Sequence, residues 1–248
     1  TNGSLCNRAG VSPCTRCFPE VGPINFRLRD LHVRRAFDCV DAFIAPSAFL
    51  RARYVEWGIA PERIHLIRNG HPASDKTSFP STQTSHRAAD PALHPKTSPK
   101  TSRDHVRFGF FGHINRSKGV HIVLEAAQVL RSRGVEGFSI DIYGDDTYAP
   151  EAYRDRVQTL LAELSPYVRW HGPYAFDRVL SLMAALDWIV VPSTWWENDP
   201  LVIQEAFLAG RPVLCSDIGG MAENIVHGQS GFHVPAGDVN AWADAIAA

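Results

Sequence analysis

Residues 187–216 read DWIVVPSTWWENDPLVIQEAFLAGRPVLCS, and this stretch decides the fold class. Its two ends, 187–193 and 211–216, are short apolar runs with the length of buried strands. The segment 199–209 is predicted to be a helix with Asp199 as its N-cap, because Asp-Pro is typical of a cap followed by the first helical residue. A strand, a helix and a strand in this order predict a βαβ unit with parallel strands.

The same alternation of strand and helix continues on both sides of this unit. Further strands are predicted at residues 106–112, 138–144, 167–172 and 231–234, and further helices at 117–134, 149–164, 175–186, 219–227 and 238–247. Upstream, residues 24–70 give a helix, a strand, a second helix capped by Ser47 and a second strand. This alternation predicts the α/β class, with a Rossmann-like, doubly wound parallel sheet and helices on both faces.

Composition divides the chain into three parts. Residues 72–104 are rich in proline, serine and threonine and cannot build a core, so they are predicted to be a linker. Residues 1–71 then form a first part, irregular over 1–22, and residues 105–248 form the main domain. Because the chain does not begin with methionine and its first residues already resemble the inside of a domain, we expect a fragment.

Charge and hydropathy exclude several classes of function. The chain of 248 residues has a formal net charge of −1, so no overall charge attracts it to nucleic acid. No apolar run has the length of a membrane span, and no signal peptide is visible in the sequence. We therefore expect a cytoplasmic globular protein with no nucleic-acid partner.

Three of the five cysteines lie near the start of the chain. Cys6, Cys14 and Cys17 could supply three zinc ligands, with His32 as a fourth, but the second half of the usual zinc spacing is absent. Free thiols or a local disulfide are therefore the favoured interpretation. Cys39 stands alone in an apolar context and is predicted to be a small buried side chain.

Ligands of doubly wound sheets bind beyond the carboxyl ends of the strands, so the loops there hold the candidate site residues. One of them, GHINRSKG at 112–119, places Arg116 and Lys118 before a predicted helix. Cations and backbone amides at a helix N-terminus suit a diphosphate, although a solvated pair of basic residues is the alternative. The chain has no P-loop and no Gly-x-Gly-x-x-Gly, which argues against an NAD-dependent Rossmann protein.

A second loop and the helix after it carry two carboxylates. Glu197 lies in the loop that follows the 187–193 strand, and Glu205 lies among apolar residues of the next helix. A carboxylate on an apolar face is costly to bury unless it has a partner. Each carboxylate could accept a pair of hydroxyls, one pair from a sugar and the other from a ribose. The alternative is that this helix face reaches solvent.

Three other loop features are compatible with ligand contacts or with ordinary turns. Gly219 and Gly220 would let the backbone approach a ligand closely at a helix start. Tyr174 follows a Gly-Pro turn and could form a wall for a nucleotide base. Asp145 and Asp146 are interpreted as ordinary loop carboxylates, since no third metal ligand is apparent.

Three motifs, in this order, resemble the C-terminal domain of family 4 glycosyltransferases, which have the GT-B fold: GHINRSKG, the Glu-x7-Glu spacing, and EAFLAGRPVLCSDIGGMAENIVHGQSGFHV. The resemblance is strong over 106–248. It is looser over 24–70, which looks like a remnant of that family's N-terminal domain, and so it implies an N-terminally truncated chain. The sequence departs from the family at His113, where arginine is usual, and at Pro200, which has no amide to offer.

The resemblance implies a role for each matching position. Arg116 and Lys118 would stabilise the departing diphosphate, and Glu197 would hold the donor sugar, which makes these three the catalytic residues. Glu205 would hold the ribose hydroxyls. The implied donor-binding residues are Gly112, His113, Gly172, Pro173, Tyr174, Asn198, Leu201, Val202, Glu205, Gly219, Gly220, Met221 and Glu223. The resemblance implies no cofactor and no obligatory metal.

The implied activity is the transfer of a hexosyl group from a nucleotide diphosphate sugar to an acceptor hydroxyl, with retention at the anomeric carbon. The acceptor would be a glycan, a lipid-linked molecule or a small molecule. Any peripheral membrane contact would come through the missing part of the N-terminal domain. Two alternatives stay open, namely an inactive nucleotide-sugar-binding half-module and a GT-B nucleotide-sugar epimerase.

Overall fold

The computed structural model describes three ranges of the chain, residues 5–6, 9–71 and 105–248. The chain divides into two compact units, Thr1–Arg68 and Asn69–Ala248. The predicted linker at 72–104 lies outside the described residues, and the domain boundaries drawn from composition stay predictions. No helix within the described ranges is both long and apolar enough to cross a membrane.

The first unit contains a short parallel pair of strands beside helices. Its elements are α1 (Val11–Cys17), α2 (Pro23–Asp38), β1 (Phe43–Ala45), α3 (Ala48–Trp57) and β2 (Ile64–Leu66). β1 pairs with β2 in parallel, and the buried side chains of Ala45, Ile59 and Ile64 form a small core. The predicted order of helix, strand, helix and strand over 24–70 is therefore confirmed.

α3 begins and ends at two residues that are recognisable in the sequence as helix caps. The Ser47 hydroxyl accepts a hydrogen bond from the Leu50 backbone N–H at 3.2 Å, as an N-cap does. Gly58 follows the helix with a φ of 109°, a conformation that glycine adopts without the strain of a Cβ. The predicted N-cap of α3 is thus confirmed.

Two predictions for the first unit are wrong. Residues 11–17 were expected to be irregular, yet they form α1, whose residues contact α2. Cys39 is exposed at the end of α2 and is not buried.

Cys6, Cys14 and Cys17 are free thiols. Within the described parts of the chain, no three His, Cys, Asp or Glu side chains lie close enough together to bind a metal ion.

The second unit is built on a six-stranded parallel sheet. Its strands are β3 (Val106–Phe111), β4 (Phe138–Tyr143), β5 (Val168–Gly172), β6 (Trp188–Val191), β7 (Val213–Ser216) and β8 (Gly231–Val234). They lie side by side in the order β5-β4-β3-β6-β7-β8. Every neighbouring pair is parallel, so each strand that the sequence predicted is confirmed, and all their carboxyl ends lie at one edge.

Helices cover both faces of this sheet. They are α4 (Val120–Ser132), α5 (Glu151–Leu164), α6 (Val179–Ala184), α7 (Leu201–Leu208), α8 (Gly219–Asn224) and α9 (Val239–Ala247). The buried residues of α4, α5 and α9 belong to one apolar cluster, and those of α6, α7 and α8 belong to another. Two separate clusters, one for each face, are what a doubly wound sheet requires, so the predicted fold class is confirmed.

The strand order identifies where a ligand would bind. From β3 the chain builds outward through β4 and β5, and it then returns to place β6 on the other side of β3. In open parallel sheets, ligands bind outside the carboxyl ends of the strands at this change of direction. The β3–α4 loop (Gly112–Gly119) and the β6–α7 loop (Pro192–Pro200) flank that point.

The start of α4 shows how closely these two loops pack. The sequence predicted a helix from residue 117, but α4 begins at Val120, because Gly119 adopts a φ of 75° just before it. A Cβ at Gly119 would lie 2.0 Å from the Pro192 carbonyl oxygen. Glycine is therefore required here for the β3–α4 loop to touch the β6–α7 loop.

Candidate functional site

Two of the predicted catalytic residues meet at the change of strand direction. The Lys118 Nζ donates to the Glu197 Oε1 at 2.7 Å, and the Ser193 hydroxyl donates to the same oxygen at 3.0 Å. The Lys118 and Glu197 side chains are 34% and 16% exposed, so the ion pair is partly shielded but reachable from solvent. The two loops therefore bring a cation and a carboxylate together at this edge of the sheet.

Hydrogen bonds fix the β3–α4 loop around Lys118. The Asn115 side-chain oxygen accepts from the Ser117 hydroxyl at 2.7 Å and from the Lys118 backbone N–H at 2.9 Å. Thr194 donates its backbone N–H to the Ser117 carbonyl at 2.8 Å. The Lys118 amide is thus used inside the protein, so this position offers a ligand its ammonium group and not its backbone N–H. Arg116 is exposed in the same loop.

The predicted donor residue His113 is engaged by an acidic side chain. Its Nδ1 lies 3.2 Å from the Asp145 Oδ2, in the loop that follows β4. Hydrogen bonds from Thr147, with a smaller contribution from His113, lower the pKa of Asp145. Asp145 is therefore an ionised partner of His113.

Glu205 lies among apolar residues of α7, and the sequence left open whether its carboxylate is buried or reaches solvent. The structure shows that it is buried. Only 6% of the residue is exposed on α7. Burial raises the pKa of Glu205, whereas His71, whose Nε2 lies 3.6 Å from the Glu205 Oε1, lowers it. The alternative that this side chain simply reaches solvent is therefore wrong.

The loop after β5 brings an aromatic group close to the same carboxylate. Burial and the charge of Glu205 raise the pKa of Tyr174 to about 12. The Tyr174 ring lies edge-on to Phe111, with ring centroids 5.4 Å apart. Gly172 is half-buried, and its carbonyl accepts the Gly144 N–H at 2.8 Å, while Pro173 is exposed.

The two glycines at the start of α8 serve the protein's own packing. Gly220 donates its N–H to the Glu197 carbonyl at 2.7 Å, and a Cβ at Gly220 would lie 1.6 Å from the Asn198 carbonyl oxygen. The backbone that approaches Gly219 and Gly220 closely is therefore the β6–α7 loop, where the sequence had suggested a ligand. This contact fixes the backbone of the β6–α7 loop at Glu197.

The remaining predicted donor residues differ in accessibility. The Met221 side chain is fully buried in the core, so a donor could meet only its backbone. Asn198 and Leu201 are exposed, and Val202 and Glu223 are half-buried. The roles of all these residues stay predictions, because the geometry establishes only where they lie.

Asp199 is not the helix cap that the sequence predicted. Pro200 occupies the position before α7, and the buried Asp199 carboxylate accepts from Asn69, Gln204 and Asn224 instead. The Asn69 side-chain amide also donates to the Asp199 carbonyl at 2.9 Å. Asp199 therefore joins the segment beginning at Asn69 to both α7 and α8, a role for which the local sequence gave no signal.

A buried pair behind the β3–α4 loop was also missed. The His121 Nδ1 lies 2.9 Å from the Tyr153 hydroxyl, which donates to the Asn115 carbonyl at 3.1 Å. Burial, with smaller effects from Arg156 and Arg116, lowers the pKa of His121 to about 4. His121 is thus neutral at physiological pH and supports the loop that carries Lys118.

This pair predicts an acid-sensitive fold. An unfolded histidine titrates near 6.5 and His121 near 4, so its contribution to stability is present above 6.5 and is lost as the pH falls towards 4. The expected loss is about 3 kcal/mol of unfolding free energy. Urea denaturation of the wild type and of His121→Leu between pH 7 and 4 measures it, with His105→Leu, an exposed histidine, as the control. Equal pH slopes in all three proteins would contradict this prediction.

Comparisons with known proteins agree with this geometry. A family model described as glycosyl transferases group 1 matches residues 105–248, more than half of the chain. The D-inositol 3-phosphate glycosyltransferase of Corynebacterium urealyticum is 33% identical over 141 residues, which cover 56% of this chain and 33% of that protein. The glycogen synthase of Mycobacterium tuberculosis is 29% identical over 211 residues, which cover 83% of this chain and 44% of that protein.

A solved structure gives the same result. Anabaena Alr3699/HepE in complex with UDP-glucose is similar with a TM-score of 0.63 and 25% identity, over 83% of this chain and 53% of that one. The chain thus matches between a third and about half of the length of these relatives. A family model that matches most of the chain, a GT-B fold and a parallel sheet with this loop arrangement lead to one conclusion. The chain belongs to the group 1 glycosyltransferases.

Proposed function

We propose that the strand-end loops of this chain bind a nucleoside diphosphate sugar. The observation that carries the proposal is the Lys118–Glu197 pair, held at 2.7 Å where the strand order changes direction. Lys118 would contact the diphosphate and Glu197 the hydroxyls of the donor sugar. Glu205, buried on the helix that follows the same loop, would accept the two ribose hydroxyls.

The charge on the leaving group determines the chemistry. When the bond from the anomeric carbon to the diphosphate breaks, its electron pair stays on the diphosphate oxygen, and negative charge grows there. An ammonium group carries three donor hydrogens, so Lys118 can hold Glu197 and still donate to phosphate oxygens. Electrostatic stabilisation of this kind is commonly the largest contribution to catalysis. We propose that Arg116 and Lys118 supply it without an obligatory metal.

The whole protein's reaction is proposed on the same basis. We infer a family 4 enzyme of the cytoplasm that transfers a hexosyl group to an acceptor hydroxyl and retains the configuration of the anomeric carbon. HepE was solved with UDP-glucose, which supports uridine and a glucose-type sugar as the donor. The names of the relatives, a D-inositol 3-phosphate glycosyltransferase and a glycogen synthase, support a polyol or glycan acceptor.

Donor binding is the direct test, because the chain matches only part of its relatives. The expected result is that UDP-glucose raises the Tm of the chain more than GDP-glucose, ADP-glucose or NAD at equal concentration. A ligand at about one hundred times its Kd stabilises the folded state by about 2.7 kcal/mol, which a thermal shift detects. Stabilisation by NAD alone, or by none of the four, would contradict the proposed function.

A further inference from the structure

The Glu205 carboxylate has a neighbour that no sequence motif singled out. The His71 Nε2 lies 3.6 Å from the Glu205 Oε1, and the two side chains are only 10% and 9% exposed. Both groups are thus largely withdrawn from water, and polar contacts in such a partly buried environment are stronger than at a surface. His71 follows Asn69 and Gly70 at the start of the second unit, far in sequence from α7.

Contacts on both sides hold His71 beside Glu205. The imidazole stacks on the Phe176 ring, with centroids 5.6 Å apart and planes inclined by 18°. Two residues earlier, Asn69 donates its backbone N–H to the Asp199 carboxylate at 2.8 Å. Asp199 immediately precedes Pro200 and α7, so the segment that carries His71 is anchored to the helix that carries Glu205. The position of His71 is therefore supported both at its ring and at the backbone that precedes it.

Two titratable groups face this carboxylate within the described residues. His71 approaches it from the segment at Asn69, and Tyr174 approaches it from the loop after β5. Burial raises the pKa of Glu205, and the neighbouring His71 imidazole lowers it. Tyr174 is a neutral phenol at physiological pH, because burial and Glu205 raise its pKa to about 12. His71 is thus the group that offsets the cost of burying the carboxylate.

We propose that His71 is a positioning residue for donor recognition, which holds the buried Glu205 carboxylate in an orientation that can accept the hydroxyls of a nucleoside ribose. This inference rests on the proposed function, in which Glu205 accepts those hydroxyls. The contact with His71 involves only Oε1, and a carboxylate has about four acceptor positions, so His71 and a ribose can share it.

The proposal has a consequence that a purely structural role lacks. Without His71, burial acts unopposed and raises the pKa of Glu205 further, so the carboxylate is protonated at a higher pH. A protonated carboxyl group accepts fewer hydrogen bonds than a carboxylate. The pH at which nucleotide affinity falls to half should therefore move upward. A loss of packing alone would weaken binding equally at every pH.

The experiment measures the Kd of UDP by calorimetry from pH 5 to pH 8. His71→Leu is expected to weaken UDP binding about fivefold to tenfold at pH 7, because the buried Glu205 carboxylate loses its polar neighbour, and to move the half-loss pH upward. His71→Gln keeps a hydrogen-bond donor but no charge, so it should recover affinity at pH 8 and still show the upward move. His65→Leu, an exposed histidine of the first unit, should behave as the wild type does.

Each outcome separates this inference from the function on which it rests. A wild-type chain that binds no nucleotide contradicts the proposed function and removes this inference with it. A wild type that binds UDP and loses it on Glu205→Gln, but is unchanged in affinity and half-loss pH by His71→Leu, overturns the role of His71 alone. If His71→Leu does not fold, the pH profile of His71→Gln decides, and a profile equal to that of the wild type overturns the inference.

Discussion

Replacing Lys118 by alanine is expected to weaken UDP binding about 10- to 100-fold and to leave uridine binding unchanged. A hydrogen bond to a charged group contributes about 1.5–3 kcal/mol, and each 1.4 kcal/mol is a tenfold change in Kd. The Lys118 Nζ is directed into the β6–α7 loop at Glu197, where the diphosphate would lie. Uridine carries no phosphate, so it should not respond to the loss of this cation.

Two control variants make this measurement specific. Lys118→Arg keeps the charge and should recover most of the affinity for UDP. Arg133→Ala removes a cation just after the other end of α4, where it pairs with Asp244, and should have no effect. The fold should tolerate Lys118→Ala, because a partly exposed ion pair contributes about 1 kcal/mol or less. If uridine and UDP lost affinity equally, Lys118 would act by holding the loop, and its proposed contact with the diphosphate would be wrong.

The sheet of the second unit was predictable because its signal is local. Each buried strand is a short apolar run bounded by turn residues, and each helix between two strands fixes a parallel connection. The β6–α7–β7 unit shows this clearly, since its two strands and its helix are recognisable without any other part of the chain. The Ser47 cap was predictable for the same reason, because its partner lies three residues away.

The errors have the opposite cause, since each depends on residues distant in the sequence. The local sequence predicted Asp199 as the N-cap of α7, but its carboxylate accepts hydrogen bonds from Asn69 and Asn224 instead. α1 forms in contact with α2, although α1 contains a proline and two cysteines and follows a glycine, which locally suggested irregular structure. A local pattern gives the hydrogen-bonding capacity of a residue and cannot give the partner that tertiary packing brings to it.

The same distinction between local signals and distant partners applies to the residues of the candidate site. The motifs placed Lys118 and Glu197 in loops at the same edge of the sheet, and the fold brings them into contact because β3 and β6 are neighbours. His71 and the buried pair of His121 and Tyr153 carried no motif, since each supports another residue across a long sequence separation. Sequence motifs therefore predicted candidate groups for ligand contact, and only the structure could identify the residues that support them.

Replacing Glu205 by glutamine is expected to weaken both UDP and uridine about 10- to 100-fold while raising the Tm of the chain. The side chain keeps its size, but it loses the charge that would strengthen two hydrogen bonds to ribose hydroxyls. Burial raises the pKa of Glu205, so the folded state binds this proton more tightly than the unfolded state. Its stabilising contribution is present at low pH and is lost as the pH rises through the raised pKa. At neutral pH the wild type therefore keeps a buried charge that glutamine lacks.

Opposite changes in affinity and stability would distinguish a binding carboxylate from a structural one. A residue that served packing alone would lower the Tm when replaced, and it would weaken UDP only through a less stable fold. Calorimetry with UDP and uridine, beside thermal denaturation at pH 5 and pH 8, measures both effects on the same protein. The stability difference between wild type and Glu205→Gln should be smaller at pH 5 than at pH 8, because the raised pKa of Glu205 favours protonation of the folded state as the pH falls. Glu125→Gln, a half-buried carboxylate on α4 that is not among the predicted donor-binding residues, provides the comparison for loss of a charge alone. Unchanged affinity for both ligands in Glu205→Gln would remove the ribose contact from the proposed function. The loss of UDP alone would move Glu205 to the diphosphate side of the donor.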